Sequence, residues 1–162
     1  MSTHDTTPKV RTCLWFDAKG EEAAEFYASL LPDSSVGQIV RPDPQGPAQV
    51  VELSLAGTPY MFLNGGPMFP QTPAASIVVR TADQAETDRL WDALVADGGS
   101  EGRCGWLTDR FGVSWQITPD ALVRMFSAPD REAAGRAVGA MMTMSKIDIH
   151  AMEVAFAGEG GA

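Results

Sequence analysis

A helical face that occurs twice does most to constrain this chain. Phe26, Tyr27 and Leu30 recur 64 positions later as Leu90, Trp91 and Leu94. A strand-like run precedes each helix and three more follow it. In the first half, residues 10–16 are rich in strand formers. Asp17 then opens a helix over residues 21–31, with Ala23, Phe26, Tyr27 and Leu30 at helical spacing. Pro32 and Asp33 end it. Strand-like runs at 35–41, 49–55 and 60–64 follow, separated by the proline-rich loop 42–47 and a tight turn at 56–59. After a Gly/Pro-rich linker at 65–73, a strand at 75–80 and a helix at 83–95 restart the pattern. Gly98 and Gly99 end that helix, and a short strand near Glu101 leads into a hairpin. A repeat of half the chain is too long for a solenoid. It predicts an α+β fold of two β-α-β-β-β modules, residues 10–64 and 74–118, whose mixed sheets cup around a shared groove as one structural domain.

Residues 119–156 form a C-terminal helical extension in this reading. Pro119 and Asp120 open a short helix through Phe126, and Pro129 and Asp130 open another through about Met142. A last helix covers 148–156. Ala133, Ala137, Met141 and Met144 lie along one side of the middle segment. Methionine-rich faces are adaptable contact surfaces, so the extension either covers the other half or a partner subunit, or packs as ordinary core.

The hairpin runs from Arg103 to Ile117. Asp109 and Gly112 supply turn chemistry. A four-residue loop at 109–112 places Thr108 opposite Val113, Trp106 opposite Trp115 and Gly105 opposite Gln116. The two tryptophans then share a packing face, together with Trp15, and Gln116 points to the other side. A glycine across from Gln116 leaves open space around a polar side chain. Stacking of a flat ligand is the other role open to these tryptophans.

Composition excludes several classes. A formal net charge of −9 over 162 residues argues against nucleic-acid or anionic-membrane partners. No apolar run approaches the ~20 residues of a membrane span. The first residues lack the apolar core of a signal peptide, so a cytoplasmic protein is expected. Cys13 and Cys104 have no paired spacing and read as reduced thiols. Cys104 is either a nucleophile or a buried, inert thiol.

The two modules and their local motifs resemble the vicinal-oxygen-chelate superfamily of glyoxalases, bleomycin-resistance proteins and extradiol dioxygenases. The motifs are most similar to its PhnB-like branch, which carries the label 3-demethylubiquinone-9 3-methyltransferase. They include Leu14-Trp15-Phe16-Asp17, Glu25-Phe26-Tyr27, Leu63-Asn64-Gly65-Gly66-Pro67, Leu90-Trp91-Asp92-Ala93-Leu94, Cys104-Gly105-Trp106-Leu107 and the stretch from Asp109 to Gln116. The resemblance implies metal ligands, His and Glu as a rule, on the first and last strand of each half. Those positions here are Thr12, Asn64, Ser76 and Gln116, and none suits a catalytic divalent ion. The only histidines, His4 and His150, lie in terminal segments. No metal and no cofactor are therefore expected. The methyltransferase label is not expected to describe the activity, because no strand–glycine-rich turn–helix for an adenosyl cofactor is present.

The expected pocket is lined by Thr12, Leu14, Phe16, Phe62, Asn64, Ser76, Val78, Arg80 and Gln116. Arg80 in that cavity would bind a carboxylate or phosphonate. At a strand end it would simply be solvated. The expected function is a homodimeric small-molecule-binding protein that lacks the superfamily's metal ligands. A metal-independent enzyme acting on a small organic substrate is the alternative.

Overall fold

A computed structural model describes residues 8–159. The chain divides into two compact units, one ending at Gln71 and one starting at Thr72. The division falls inside the Gly/Pro-rich stretch.

The first unit runs β1 (Thr12–Phe16), α1 (Gly20–Leu30), β2 (Ser35–Val40), β3 (Val50–Leu55) and β4 (Thr58–Asn64). Its sheet has the order β1-β4-β3-β2, with β1 parallel to β4 and the other pairs antiparallel. Parallel pairing needs a long crossover, which α1 supplies before β2, β3 and β4 meander back to β1. The apolar stripe of α1 packs on one side of this sheet. Ala23, Ala24 and Tyr27 meet Leu14, Phe16, Val51, Leu53 and Phe62, all buried. The rings of Phe16 and Tyr27 lie 4.8 and 5.8 Å from that of Phe62. Leu14, Phe16 and Phe62, expected to line a pocket, are instead the core beneath α1.

The second unit repeats the topology with β5 (Ile77–Thr81), α2 (Gln84–Val95), β6 (Ser100–Glu101), β7 (Trp106–Thr108) and β8 (Ser114–Pro119). The sheet order is β5-β8-β7-β6, with β5 parallel to β8. Leu90, Trp91 and Leu94 of α2 are buried with Ile77, Leu107, Trp115 and Ile117. The helices keep the 64-residue offset but the strands do not. Three residues separate Phe16 from Gly20, whereas only Ala82 and Asp83 separate Thr81 from Gln84. Strand side chains alternate, so this one-residue difference reverses which positions face the helix. Leu14 faces α1, while Val78 faces away from α2 and is 55% exposed.

The hairpin register also differs from expectation. Trp106 pairs with Gln116, Leu107 with Trp115 and Thr108 with Ser114, which makes a five-residue loop. Asp109 sets this register. Its side chain is buried, and its Oδ1 accepts the Phe111 and Val113 backbone N–H groups at 2.8 and 3.0 Å. Its Oδ2 accepts the Trp115 indole N–H at 2.8 Å. The turn therefore closes around a carboxylate, and Val113 joins the loop rather than the ladder. Trp115 is core, but Trp106 shares a face with Gln116. Gly105 opens no space there. It has φ +82°, and a Cβ at this position would lie 2.8 Å from the Ile117 carbonyl oxygen and 3.2 Å from Ile147.

Ile147 belongs to the C-terminal extension, α3 (Asp120–Phe126), α4 (Arg131–Met141) and α5 (Ile149–Ala157). Ala121, Leu122, Met125, Ala137, Ile147 and Met152 form its buried cluster, with Met141 and Met144 packed against it. Its methionine-rich side thus packs as core. The extension is fastened to the second module by polar contacts. Cys104 and Gly105 donate backbone hydrogen bonds to the carbonyls of Met144 and Ser145, both at 2.8 Å. Gln84 at the start of α2 donates to the Ile147 carbonyl and accepts from the Ile149 N–H, at 3.1 and 2.9 Å. Lys146 reaches Asp88 and Asp92 at 3.1 and 3.2 Å. Among the described residues, no helix is long and apolar enough to cross a membrane.

Candidate functional site

Each sheet has one side packed under its helix and one side that the helix does not cover. The uncovered side of the first sheet follows from the register of β1, β4 and β3. It carries Cys13, Met61 and Glu52 in one row, and Trp15, Leu63 and Val50 in the next. Arg11 extends this side and forms an ion pair with Glu52 at 2.5 Å. A cavity of about 440 Å³ opens there, bounded by Arg11, Ser35, Gly37, Glu52, Ser54 and Tyr60. Burial raises the Tyr60 phenol above its usual pKa. It also raises the Cys13 thiol, although the nearby Arg11 charge acts in the opposite sense. Cys13 is therefore a protonated, weak nucleophile near neutral pH.

Trp15 is held in place on that side. Its indole N–H donates to the Gly66 carbonyl at 2.8 Å, and Phe69 meets its ring edge-on at 4.9 Å between centroids. A fixed aromatic ring on a half-buried face offers contact area at little entropic cost. Phe69 and Met68 beside it are exposed. Trp15 was expected on the packing face and lies on the other. Its parity with Cys13 rather than with Leu14 is the signal that could have placed it.

Asn64 has a different role from the one expected. Its Oδ1 accepts the Gly20 backbone N–H at 2.8 Å, and its Nδ2 donates to the Ala48 carbonyl at 2.9 Å. Lys19, at the N-cap position of α1, makes no side-chain cap, so β4 supplies the missing acceptor from across the fold. The close approach requires glycine at position 20, where a Cβ would come within 2.7 Å of Oδ1. Both ends of the carboxamide are engaged by the fold. Thr12 is exposed at the start of β1.

The uncovered side of the second sheet brings together several expected residues. The Gln116 Nε2 donates to Ser76 Oγ at 2.9 Å. Val78 lies directly opposite Gln116 on β5, and Trp106 lies opposite it on β7. Arg80 follows on the same side, opposite Thr118, with its guanidinium on Asp120. Cys104 is half-buried with φ 58°, and its Sγ is 3.7 Å from the Met142 thioether, a group that takes no proton from it. A larger cavity of about 730 Å³ lies between α2, α3 and α5. Several of its polar groups are structural: Asp83 and Asp148 cap α2 and α5, and Gln84 and Lys146 fasten the extension.

Paired β-α-β-β-β modules, each with one helix-covered and one uncovered sheet face, have the architecture of the vicinal-oxygen-chelate superfamily. Within it, residues 8–118 match the family described as 3-demethylubiquinone-9 3-methyltransferase, and the chain belongs to that family. The chain is 32% identical to the PhnB protein of Bacillus cereus, with a TM-score of 0.63. The match covers 69% of this chain and 99% of that one. A protein from Pseudomonas aeruginosa, PA1353, shares the fold at 23% identity and a TM-score of 0.57, covering 70% of this chain and 98% of the other. No curated protein matches the sequence significantly. The family match ends before α3, so the helical extension lies beyond it.

The residues do not fit the superfamily's metal. The uncovered faces present thiol, indole, hydroxyl and carboxamide groups. Their one strand carboxylate, Glu52, is paired with Arg11. Among the described residues, no three His, Cys, Asp or Glu side chains cluster so as to hold an ion. His150 is exposed on α5, and His4 lies outside the described residues. The residues do not fit an adenosyl cofactor either. Neither strand-to-helix turn is glycine-rich, and the first helical N–H groups meet Asn64 in one module and Asp83 in the other. Those groups would otherwise be available to a cofactor.

Proposed function

We propose that this protein binds a small organic molecule on the uncovered faces of its sheets, without a catalytic metal and without transferring a methyl group. One observation carries the reading. On the second sheet an apolar side chain, Val78 on the edge strand β5, is left 55% exposed beside the hydrogen-bonded Gln116–Ser76 pair, with the indole of Trp106 on the far side of Gln116 in the same row. Apolar contact beside a few fixed polar groups is the combination from which ligand sites draw their orientation and specificity. The cavity beside the Arg11–Glu52 pair supports the same use of the first sheet. The family's description names a methyltransferase, and both helix N-termini argue against carrying that activity over.

The alternative of a metal-independent enzyme has less support. The titratable groups on these faces are the paired Arg11 and Glu52, a thiol with a raised pKa and a paired Arg80. None of these makes an acid–base couple. We further propose a cytoplasmic homodimer, with light scattering giving twice 17.3 kDa. The test of function is a metabolite screen by native mass spectrometry, followed by amide chemical-shift mapping of any hit. Shifts at Val78, Trp106 and Gln116 support the reading. A hit that perturbs only the cavity between α2 and α5 refutes it, and turnover of the hit selects the enzyme.

A further inference from the structure

We infer that the ligand carries a carboxylate and that Arg80 recognises it. This deepens the open-face reading and rests on it. From the register of β5, β8 and β7, the side chains on the uncovered face of the second sheet are hydroxyls, a carboxamide, an indole, a valine and one formal charge, Arg80. In a chain of net charge −9, the one cation among these strand side chains gives the face a partner for an anion, in competition with the Asp120 carboxylate beside it.

The guanidinium is not saturated. Its Nε donates to Oδ1 of Asp120 at 2.8 Å, and its Nη2 lies 2.7 Å from the same oxygen. The parallel two-oxygen fork that makes an Arg–carboxylate pair strong is therefore absent. The remaining N–H groups have no partner among the described residues. The pair is also solvated, with side chains 66% and 36% exposed, and exposed pairs of this kind contribute little. Thr118 sits opposite Arg80 in the ladder, and Gln116 follows two residues back on the same side. A planar carboxylate approaching this face can take the unused guanidinium edge, or displace Asp120 and complete the fork. Its apolar body would then rest over Val78. Asp120 is thus a resident competitor for the group that reads the ligand.

This competition separates recognition from a structural clamp between β5 and α3. The probes are benzoate and its neutral counterpart benzamide, titrated into the full chain at low ionic strength. The readouts are the amide shifts of Val78 and Gln116 and the Arg80 Nε–H signal. Benzoate is expected to bind about tenfold more tightly than benzamide. Arg80→Gln should remove that preference and leave benzamide unchanged. Asp120→Asn should strengthen benzoate binding a few-fold, an effect opposite in sign to what the loss of a clamp would give. Equal binding of the two probes, or benzoate binding unmoved by both substitutions, overturns the carboxylate inference and leaves the open-face reading standing. If neither probe shifts this face, both fall.

Discussion

Asp109→Asn should be among the most damaging near-isosteric changes in this protein. The carboxylate sits 3% exposed inside the β7–β8 turn and accepts two backbone N–H groups and one indole N–H. Asparagine has the same shape but only one acceptor oxygen. If that oxygen stays with the Phe111 and Val113 N–H groups, the new NH2 faces the Trp115 N–H at the 2.8 Å now spanned by a hydrogen bond. If the amide flips, the conflict moves to the two backbone donors. Either way at least one charge-assisted bond is lost, at about 1.5–3 kcal/mol, and at least one buried donor goes unpaired, at about 1–3 kcal/mol. The expected total is about 2.5–6 kcal/mol, a large share of a typical domain's stability. Urea titration followed by circular dichroism measures it. Trp115→Phe provides the control, since it removes the indole donor. In the double variant the asparagine penalty should shrink by about 1–2 kcal/mol, which a double-mutant cycle reports. A loss below about 0.5 kcal/mol for Asp109→Asn, or full additivity with Trp115→Phe, would refute the reasoning.

Asn64→Ala should cost about 1–2 kcal/mol, because the Gly20 N–H loses its cap. Gly20→Ala, damaging alone, should be tolerated better in the Asn64→Ala background, where the 2.7 Å clash is gone. Urea midpoints of the four variants test both statements. Gln84→Ala removes the bracket on residues 147–149, and hydrogen exchange should speed up at Ile149 while the first unit is unaffected. The Lys146 fork gives a pH prediction. Hydrogen bonds from Gln84, then Lys146, hold Asp88 below the usual carboxylate range. Burial disfavours the Lys146 ammonium, but its bonds to Asp88 and Asp92 outweigh this and raise its pKa. A depressed acid stabilises above its unfolded pKa and loses that contribution as pH falls through the folded value. A raised base stabilises below its unfolded pKa and loses that contribution as pH rises through the folded value. The fork is therefore at full strength from about pH 5 to 9. Because the side chains are partly exposed, Lys146→Met should cost only a few tenths of a kcal/mol at pH 7 and nothing at pH 2.5.

The helices and the order of elements were legible because apolar spacing and punctuation by Pro and Gly act locally. The 64-residue offset marked the inward side of both helices, buried at Tyr27 in α1 and at Leu90, Trp91 and Leu94 in α2. Strand faces were not legible from that offset, since one residue fewer in the second strand-to-helix connector reverses parity. Thus Ser76, Val78, Arg80 and Gln116 share one side of the second sheet, while Leu14, Phe16 and Phe62, expected on the pocket side of the first, lie under α1. The hairpin slipped for a different reason. Asp109 reads as a generic turn former, and nothing near it in the sequence reveals that its side chain turns inward to Trp115. Asn64 was recognised as a polar group in an unusual place, yet its partner is a helix terminus 44 residues away, which no local pattern encodes.

The division of the tryptophans makes the protein its own two-channel optical reporter. Trp91 and Trp115 are each 1% exposed, both in the second unit, whereas Trp15 and Trp106 sit half-buried on uncovered faces, one per unit. Emission from the buried pair should be blue-shifted and insensitive to small quenchers. Emission from the other pair should be red-shifted and open to acrylamide. Collisional quenching therefore separates the light of a folded interior from the light of the uncovered sheet faces in one untreated sample. A ligand that shields only the quenchable fraction is bound on an uncovered face, and loss of that shielding in a Trp15→Phe or Trp106→Phe variant tells which one.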